Sequence, residues 1–151
     1  MTTNQDGRIV SLQLCVGHRE PMLKVKSSKL ITGFGIDGDR HASSEERRIR
    51  RQVLLMDDET LQQFGLAHGE IRENVTISGV DFTSLSEGVK VALGDDVLLD
   101  ITGDCDPCPR MDEIRSGLQD ELQGQRGLLC YVTQGGDIRI GDAVKVLDSS
   151  S

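Results

Sequence analysis

From Val10 to Val16, apolar residues occupy every second position, with polar residues or cysteine between them. This period of two is typical of a strand with one buried face. The same pattern occurs in Val89–Leu93 and Val97–Ile101, on either side of a Gly-Asp-Asp turn, and predicts a β-hairpin. The apolar positions expected to face each other across this hairpin are Val89, Val91 and Leu93 on one strand and Val97, Leu99 and Ile101 on the other.

Further short apolar stretches predict more strands. They are Met22–Lys26, Arg51–Met56, Glu73–Gly79 and three stretches within residues 127–147, separated by turns at Gly135-Gly136 and Gly141-Asp142. Helical patterns are fewer. One follows Asp57 or Asp58 as N-cap and stops before Gly65, and a second covers Met111–Gln123. The stretch Gly33–Arg50, rich in Gly, Asp and charge, predicts a long loop with no core of its own.

This order of elements predicts the fold class. Many short strands joined by tight turns, with only a few short helices, indicate a mainly β protein built as a barrel or sandwich. Strands and helices do not alternate as they do in a parallel α/β sheet. The length of 151 residues suits one domain with its own core.

Composition then narrows the function. The formal net charge is −8, aromatic residues make up 3% of the chain and tryptophan is absent, so general nucleic-acid binding is disfavoured. We find no apolar run long enough to cross a membrane and no signal peptide, and we expect a cytoplasmic protein with reduced thiols. The glycine motifs of dinucleotide and ATP sites are absent.

The stretch Ile101–Ile114 contains a CxxC pair, Cys105 and Cys108, beside two of the chain's three prolines. Four interpretations remain open for it. It could hold structural zinc, although zinc needs four ligands and the other cysteines and histidines are scattered. It could be a redox dithiol, or a proline-stiffened turn with incidental thiols. It could also present one reactive or metal-ligating thiolate. Cys15 and Cys130 lie inside predicted strands and are expected to be small buried hydrophobic residues.

A second candidate for chemistry is the glycine-rich loop, residues 33–42 with the sequence GFGIDGDRHA. Glycines at positive φ bring backbone N–H groups close to an anion, and Arg40 and His41 add charge. More arginines follow, up to Arg51. A phosphate or another anion would suit this cluster, whereas a solvated loop with arginines paired to Glu45 and Glu46 is the alternative.

In order and spacing, four stretches of the chain resemble the MOSC domain, which is named for the C-terminal domain of molybdenum cofactor sulfurases. They are GIDGDRHA, RQVLLMDDE, the segment GEIRENVTISGVDFTSLSEGVKVALGDDVLLDITGDCDPCPRM and RGLLCYVTQGGDIRIGDAVKV. The resemblance implies a closed or partly open β-barrel. It also implies a single domain over residues 8–147, with tails at 1–7 and 148–151.

The resemblance further implies molybdenum cofactor binding or sulfur transfer. In cofactor-carrying relatives that reduce N-hydroxylated compounds, the second cysteine of such a stretch ligates molybdenum, and that position matches Cys108. In a sulfurase, the same cysteine would carry sulfur as a persulfide. Cys108 is therefore both the expected catalytic residue and the expected metal ligand, since a thiolate suits both tasks.

Molybdopterin carries a phosphate, so the resemblance assigns a set of mainly basic residues to its pocket: Arg40, His41, Arg51, Asn74, Arg110 and Arg126. The chain contains no desulfurase and no ferredoxin sequence. We therefore expect its partners to be a cysteine desulfurase or an electron-transfer protein, with neither nucleic acid nor membrane involved. Two further classes stay open: a non-enzymatic module that binds an anion or a protein, and a CxxC thiol redox protein.

Overall fold

A computed structural model describes residues 7–147, which contain eleven strands and three short α-helices. The strands are β1 (Gly7–Leu14), β2 (Leu23–Val25), β3 (Ser27–Ile31), β4 (Gly35–Ile36), β5 (Val53–Asp57), β6 (Val75–Ser78), β7 (Lys90–Leu93), β8 (Val97–Asp104), β9 (Leu128–Gln134), β10 (Gly136–Arg139) and β11 (Ala143–Leu147). The helices are α1 (Asp58–Gln63), α2 (Arg110–Ile114) and α3 (Leu118–Glu121). Of the predicted tails, 1–7 and 148–151, residues 1–6 and 148–151 lie outside the described residues, whereas Gly7 belongs to β1.

Seven of these strands close into a β-barrel, which confirms the predicted fold class. Their order is β11-β7-β8-β9-β5-β6-β1, and a pairing between β1 and β11 completes the ring. Strands β5 and β6 are parallel, whereas the other neighbours in the ring are antiparallel. Strand β2 extends the sheet beside β1, and β10, β3 and β4 form a separate three-stranded sheet.

The predicted hairpin is confirmed in its register. Val91 pairs with Leu99 and Leu93 with Val97, as the alternating pattern requires. All four side chains are buried in the barrel core, with at most 1% exposed. The predicted helix after β5 is also confirmed, because α1 starts after Asp57 and Gly65 follows it at a φ of +67°.

Strand β1 is present, and of its predicted buried face Leu12 lies in the barrel core and Leu14 packs against it. The pairing of β1 with β6 shifts register between Ile9 and Ser11. Such a bulge moves the residues beyond it to the opposite faces of the sheet. Ile9, before the bulge, and Leu12, beyond it, are therefore both in the barrel core although they are three positions apart. Cys15 is buried, as expected, while Val16 is 46% exposed.

Two other expectations were wrong. The helix predicted over Met111–Gln123 is broken into α2 and α3, because Gly117 between them takes a φ of +88° that no α-helix accommodates. The long loop 33–50 does contribute to the core, because Gly35 and Ile36 form β4 and are buried.

The helices cover a second apolar cluster, apart from the barrel core. Its buried members are Met56, Leu61, Leu66, Ile71, Met111, Leu118 and Leu122. Cys108 packs against this cluster, which positions the CxxC segment between the helices and the barrel. Within residues 7–147, no helix is long and apolar enough to span a membrane.

Candidate functional site

Both cysteines of the CxxC segment line one cavity of about 240 Å³, which we call the thiol cavity. Its remaining walls come from the glycine-rich loop, from the strands β5 and β9, from residues before β5, β6 and β9, and from the start of α2. The lining residues are His41, Arg51, Leu54, Arg72, Asn74, Cys105, Cys108, Arg110, Met111, Arg126 and Leu129.

Burial affects the ionisation of the Cys105 thiol. Cys105 and Cys108 are both half-buried and reduced. Burial raises the pKa of the Cys105 thiol, and this effect outweighs the opposing influence of the Arg126 and Arg51 guanidinium groups. Cys105 is therefore held as a thiol at neutral pH and is a poor ligand or nucleophile.

Positive charge dominates the cavity walls. Four arginines line the cavity, namely Arg51, Arg72, Arg110 and Arg126, and no aspartate or glutamate is among the lining residues. Within residues 7–147, none of the four forms an ion pair with a carboxylate. In a chain of net charge −8, so many uncompensated cations in one cavity favour an anionic ligand.

Arg126 is the most constrained of these cations. It is 6% exposed, and its Nε and Nη1 atoms have no hydrogen-bond partner among the described residues. The next residue, Gly127, takes a φ of +115° and lies so close to β5 that a Cβ atom would be 2.4 Å from the Leu55 carbonyl oxygen. This close approach fixes Arg126 at the cavity wall. Since buried donors are nearly always paired, these free N–H groups are suited to an acceptor on a ligand, such as an oxyanion.

Glu73 lies behind this wall, fully buried. Its Oε2 atom accepts hydrogen bonds from Gly69 N at 2.8 Å and from Thr76 Oγ1 at 3.1 Å. Burial raises the pKa of Glu73 more than these bonds and the more distant Arg126 charge lower it.

Asp39 holds two of the cavity residues in place. Its Oδ1 atom accepts from Asn74 Nδ2 at 3.0 Å and from Cys15 N at 2.6 Å. Its Oδ2 atom accepts from His41 N at 3.0 Å and lies 3.3 Å from His41 Nδ1. The buried carboxylate therefore fixes both the backbone and the imidazole of His41 at the cavity rim.

The structure brings together most of the residues that the sequence suggested. His41, Arg51, Arg110 and Arg126 line the thiol cavity with Cys108. Asn74 also lines it, but its side-chain amide is already hydrogen-bonded. Its Nδ2 atom donates to Asp39 and to the Gln13 carbonyl at 3.2 Å, and its Oδ1 atom accepts from Leu54 N at 3.0 Å. Arg40 is exposed and does not line this cavity.

Sequence reasoning missed Arg72. Its guanidinium donates to the Glu20 carbonyl at 2.7 Å, to the Gly17 carbonyl at 3.0 Å and to Cys15 Sγ at 3.0 Å. Its backbone has a φ of +71°, which is uncommon for any residue other than glycine. The sequence gives no sign of this conformation.

Other parts of the described chain are less suited to chemistry. No group of three or more His, Cys, Asp or Glu side chains within residues 7–147 is arranged to hold a metal ion. A second cavity, of about 360 Å³, is lined by Asp57, Glu59, Asp81 and Asp104 among others, but it has no thiol and no basic side chain. We therefore place the candidate site at the thiol cavity.

Comparison with known proteins identifies a family that this chain matches. Residues 41–145 match the MOSC domain family. The chain is 28% identical over 116 residues to YuaD of Bacillus subtilis (strain 168), whose name refers to metal-sulfur cluster biosynthesis. That match spans 64% of this chain and 60% of YuaD.

Solved structures share the fold. The crystal structure of YuaD from Bacillus subtilis superimposes with a TM-score of 0.78 at 23% identity and covers 97% of this chain and 98% of YuaD. YiiM from Geobacillus stearothermophilus gives a TM-score of 0.73 at 15% identity, over 94% of this chain and 75% of YiiM. YiiM from Escherichia coli gives 0.68 at 16% identity, over 97% of this chain and 71% of YiiM.

Proposed function

Because this chain belongs to the MOSC domain family, we propose that its thiol cavity binds the molybdenum cofactor, with Cys108 as the sulfur ligand of the metal. The observation that carries this proposal is the buried Arg126 guanidinium, unpartnered at Nε and Nη1, in the same cavity as the Cys108 thiol. Family membership supports the cofactor, and the side chains support an anion beside a soft ligand.

The residues present fit such a group. Molybdopterin carries a phosphate, and the free N–H groups of Arg126, together with Arg51 and Arg110, are suited to bind it. Cys108 offers a soft thiolate ligand, while Cys105 is held protonated by burial. When bound, the cofactor supplies a redox-active molybdenum centre. Leu54, Met111 and Leu129 add an apolar wall that limits the access of water.

With the cofactor bound, the protein is a reductase of N-hydroxylated compounds. The described residues contain no redox group other than thiols, so electrons would come from an electron-transfer partner. The tasks left to this chain are to bind the phosphate through its arginines, to hold His41 at the rim through Asp39 and to present the Cys108 thiolate.

The first test is the metal content of the protein. We would purify it anaerobically from cells that make the cofactor and measure molybdenum by elemental mass spectrometry, with Cys108→Ser and Cys105→Ser as a matched pair. Molybdenum in the wild type, its loss in Cys108→Ser and its retention in Cys105→Ser would support the proposal. A wild type without molybdenum, despite a working cofactor supply, would rule out the cofactor-binding form.

A second candidate function is sulfur carriage, with Cys108 as a persulfide. Two observations favour it: the adjacent Cys105 is held as a thiol, and the name of the relative YuaD refers to metal-sulfur cluster biosynthesis. A cysteine desulfurase would be the protein donor. Labelling of a persulfide on Cys108 in protein free of molybdenum would support this form.

A further inference from the structure

We infer that Cys108 takes sulfane sulfur directly from small dianionic donors of the thiosulfate class, without a protein donor. This inference rests on the sulfur-carrying form of the proposed function and names a substrate class for it. The observation behind it is that the Cys108 thiol shares its cavity with four guanidinium groups, while no carboxylate is among the lining residues.

The positive charge of the cavity favours an anionic sulfur donor. Arg51, Arg110 and Arg126 form no ion pair with a carboxylate among the described residues, and the carbonyl groups that Arg72 contacts do not neutralise it. A donor that brings two negative charges therefore gains more from this cavity than a neutral donor does. The buried position of Arg126 strengthens its attraction, because water screens it less.

The size and the walls of the cavity are compatible with a small donor. A volume of about 240 Å³ has room for an anion of the size of thiosulfate. Leu54, Met111 and Leu129 exclude part of the water from the reacting sulfur atoms. The unpartnered Nε and Nη1 of Arg126 are suited to bind sulfonate oxygens, which accept hydrogen bonds from a guanidinium group.

The sulfur transfer balances without an outside oxidant or reductant. The Cys108 thiolate attacks the outer sulfur of thiosulfate, and a new S–S bond forms as the bond between the two thiosulfate sulfurs breaks. Sulfite leaves with that electron pair. The products are the Cys108 persulfide anion and sulfite, with the same total charge as the reactants. Positive charge around the leaving sulfite favours this step, as it does in other anion-stabilising sites.

Cys105 contributes by staying inactive. A thiolate next to a persulfide would attack it, release hydrosulfide and close a disulfide with Cys108. Since burial keeps Cys105 protonated at neutral pH, this loss of the persulfide is slowed. The persulfide therefore persists long enough to pass its sulfur to an acceptor.

The test follows one turnover. Reduced protein, free of molybdenum, is mixed with thiosulfate, and released sulfite is measured together with the mass of the intact protein and of its Cys108 peptide. We expect one sulfite released for each sulfur atom gained on Cys108, and thiocyanate when cyanide is then added as the acceptor. Sulfur on Cys105 instead of Cys108 would overturn the inference.

Matched arginine variants test the role of charge. Arg126→Gln and the exposed Arg51→Gln each remove one cation from the cavity, while Arg139→Gln removes an exposed one on β10, away from it. We expect the first two to slow sulfite release by about tenfold or more and the third to leave it unchanged. Arg51→Gln keeps the test valid if Arg126→Gln fails to fold. Equal rates in all three variants would contradict the inference.

A second donor separates this inference from the function on which it rests. An alkyl persulfide without carboxylate or sulfonate groups should load Cys108 in all three arginine variants. Loading by the alkyl persulfide and not by thiosulfate overturns the inference and leaves sulfur carriage standing. Loading by neither donor overturns sulfur carriage as well, while molybdenum content still tests the cofactor-binding form.

Discussion

The Asn74 side-chain amide donates a hydrogen bond of 3.0 Å from Nδ2 to Asp39 Oδ1, joining the residue before β6 to the glycine-rich loop. The same carboxylate accepts the backbone N–H groups of Cys15 and His41. One buried side chain thus links three separate segments of the chain at the thiol cavity.

This linkage predicts that Asp39→Ala strongly destabilises the folded protein. The substitution leaves buried N–H groups of Asn74 and Cys15 without acceptors, and we expect it to lower the free energy of unfolding by about 3 kcal/mol. Asp39→Asn keeps one carbonyl oxygen as an acceptor and should cost less. Urea denaturation measures both, with Asp37→Ala, at an exposed position in the same loop, as the control. Equal stability of Asp39→Ala and Asp37→Ala would contradict the linkage.

Arg126 gives a prediction for anion binding. Removing an unpaired buried charge with Arg126→Met should raise the free energy of unfolding of the ligand-free protein by about 1 kcal/mol or more. Phosphate at a hundred times its dissociation constant should stabilise the wild type by about 2.7 kcal/mol, and this gain should vanish in the variant. Thermal melts with and without phosphate measure both effects. Arg139→Met serves as the control and should keep the response to phosphate.

Cys105 gives a prediction on thiol reactivity. In Cys108→Ser, the half-buried thiol left to react is Cys105, because Cys15 and Cys130 are at most 1% exposed. Burial raises the pKa of Cys105 above the ordinary value of 9.0, so the thiolate, which is the reactive form, becomes the main form only above that pH. Alkylation by iodoacetamide across a pH series should therefore show an inflection above pH 9.0.

A second substitution in the same background checks the cause. The Arg126 charge lowers the pKa of Cys105, so Arg126→Gln should move the inflection to still higher pH, whereas Arg139→Gln should leave it in place. An inflection below pH 9.0, or one at the same pH with and without Arg126→Gln, would show that burial and this arginine do not set the reactivity of Cys105.

The barrel and the thiol cavity could be predicted in part because some features depend on residue type and local pattern. Alternation fixed the register of the β7–β8 hairpin, and cysteine and arginine are recognisable candidates for soft-ligand and anion chemistry. The bulge near Ile9 could not be predicted, since pairing with β6 creates it and no local signal marks it. Arg72 could not be predicted as a cavity residue for a similar reason, because its positive φ depends on the surrounding fold.

A substitution at Gly127 tests whether close backbone packing against β5 stabilises the protein at the thiol cavity. Gly127→Ala places a Cβ atom 2.4 Å from the Leu55 carbonyl oxygen on a backbone with φ of +115°. We expect a loss of about 3 kcal/mol in the free energy of unfolding from the combined strain and steric overlap. Gly124→Ala also has a positive φ, of +77°, but no atom lies within 4 Å of the added Cβ. It should cost only about 1 kcal/mol, and a similar cost for both would contradict the steric explanation.

Glu73 gives a prediction on the pH dependence of stability. Burial raises its pKa in the folded protein above the ordinary value of 4.5, so the folded state holds a proton that the unfolded state releases. The stability contributed by this proton is fully present below pH 4.5 and is lost as the pH rises through the folded pKa. Glu73→Gln carries no titrating proton, so its free energy of unfolding should fall less than that of the wild type between pH 4.5 and pH 8.

Urea denaturation at several pH values measures this difference, and Glu70→Gln, an exposed position nearby in sequence, is the matched control. The control should follow the wild type, because it changes an exposed side chain and leaves Glu73 in place. If Glu73→Gln and the wild type lose stability in parallel as the pH rises, then Glu73 is ionised in the folded protein. Its negative charge would then partly neutralise Arg126, and the cavity would attract a dianion less strongly than proposed.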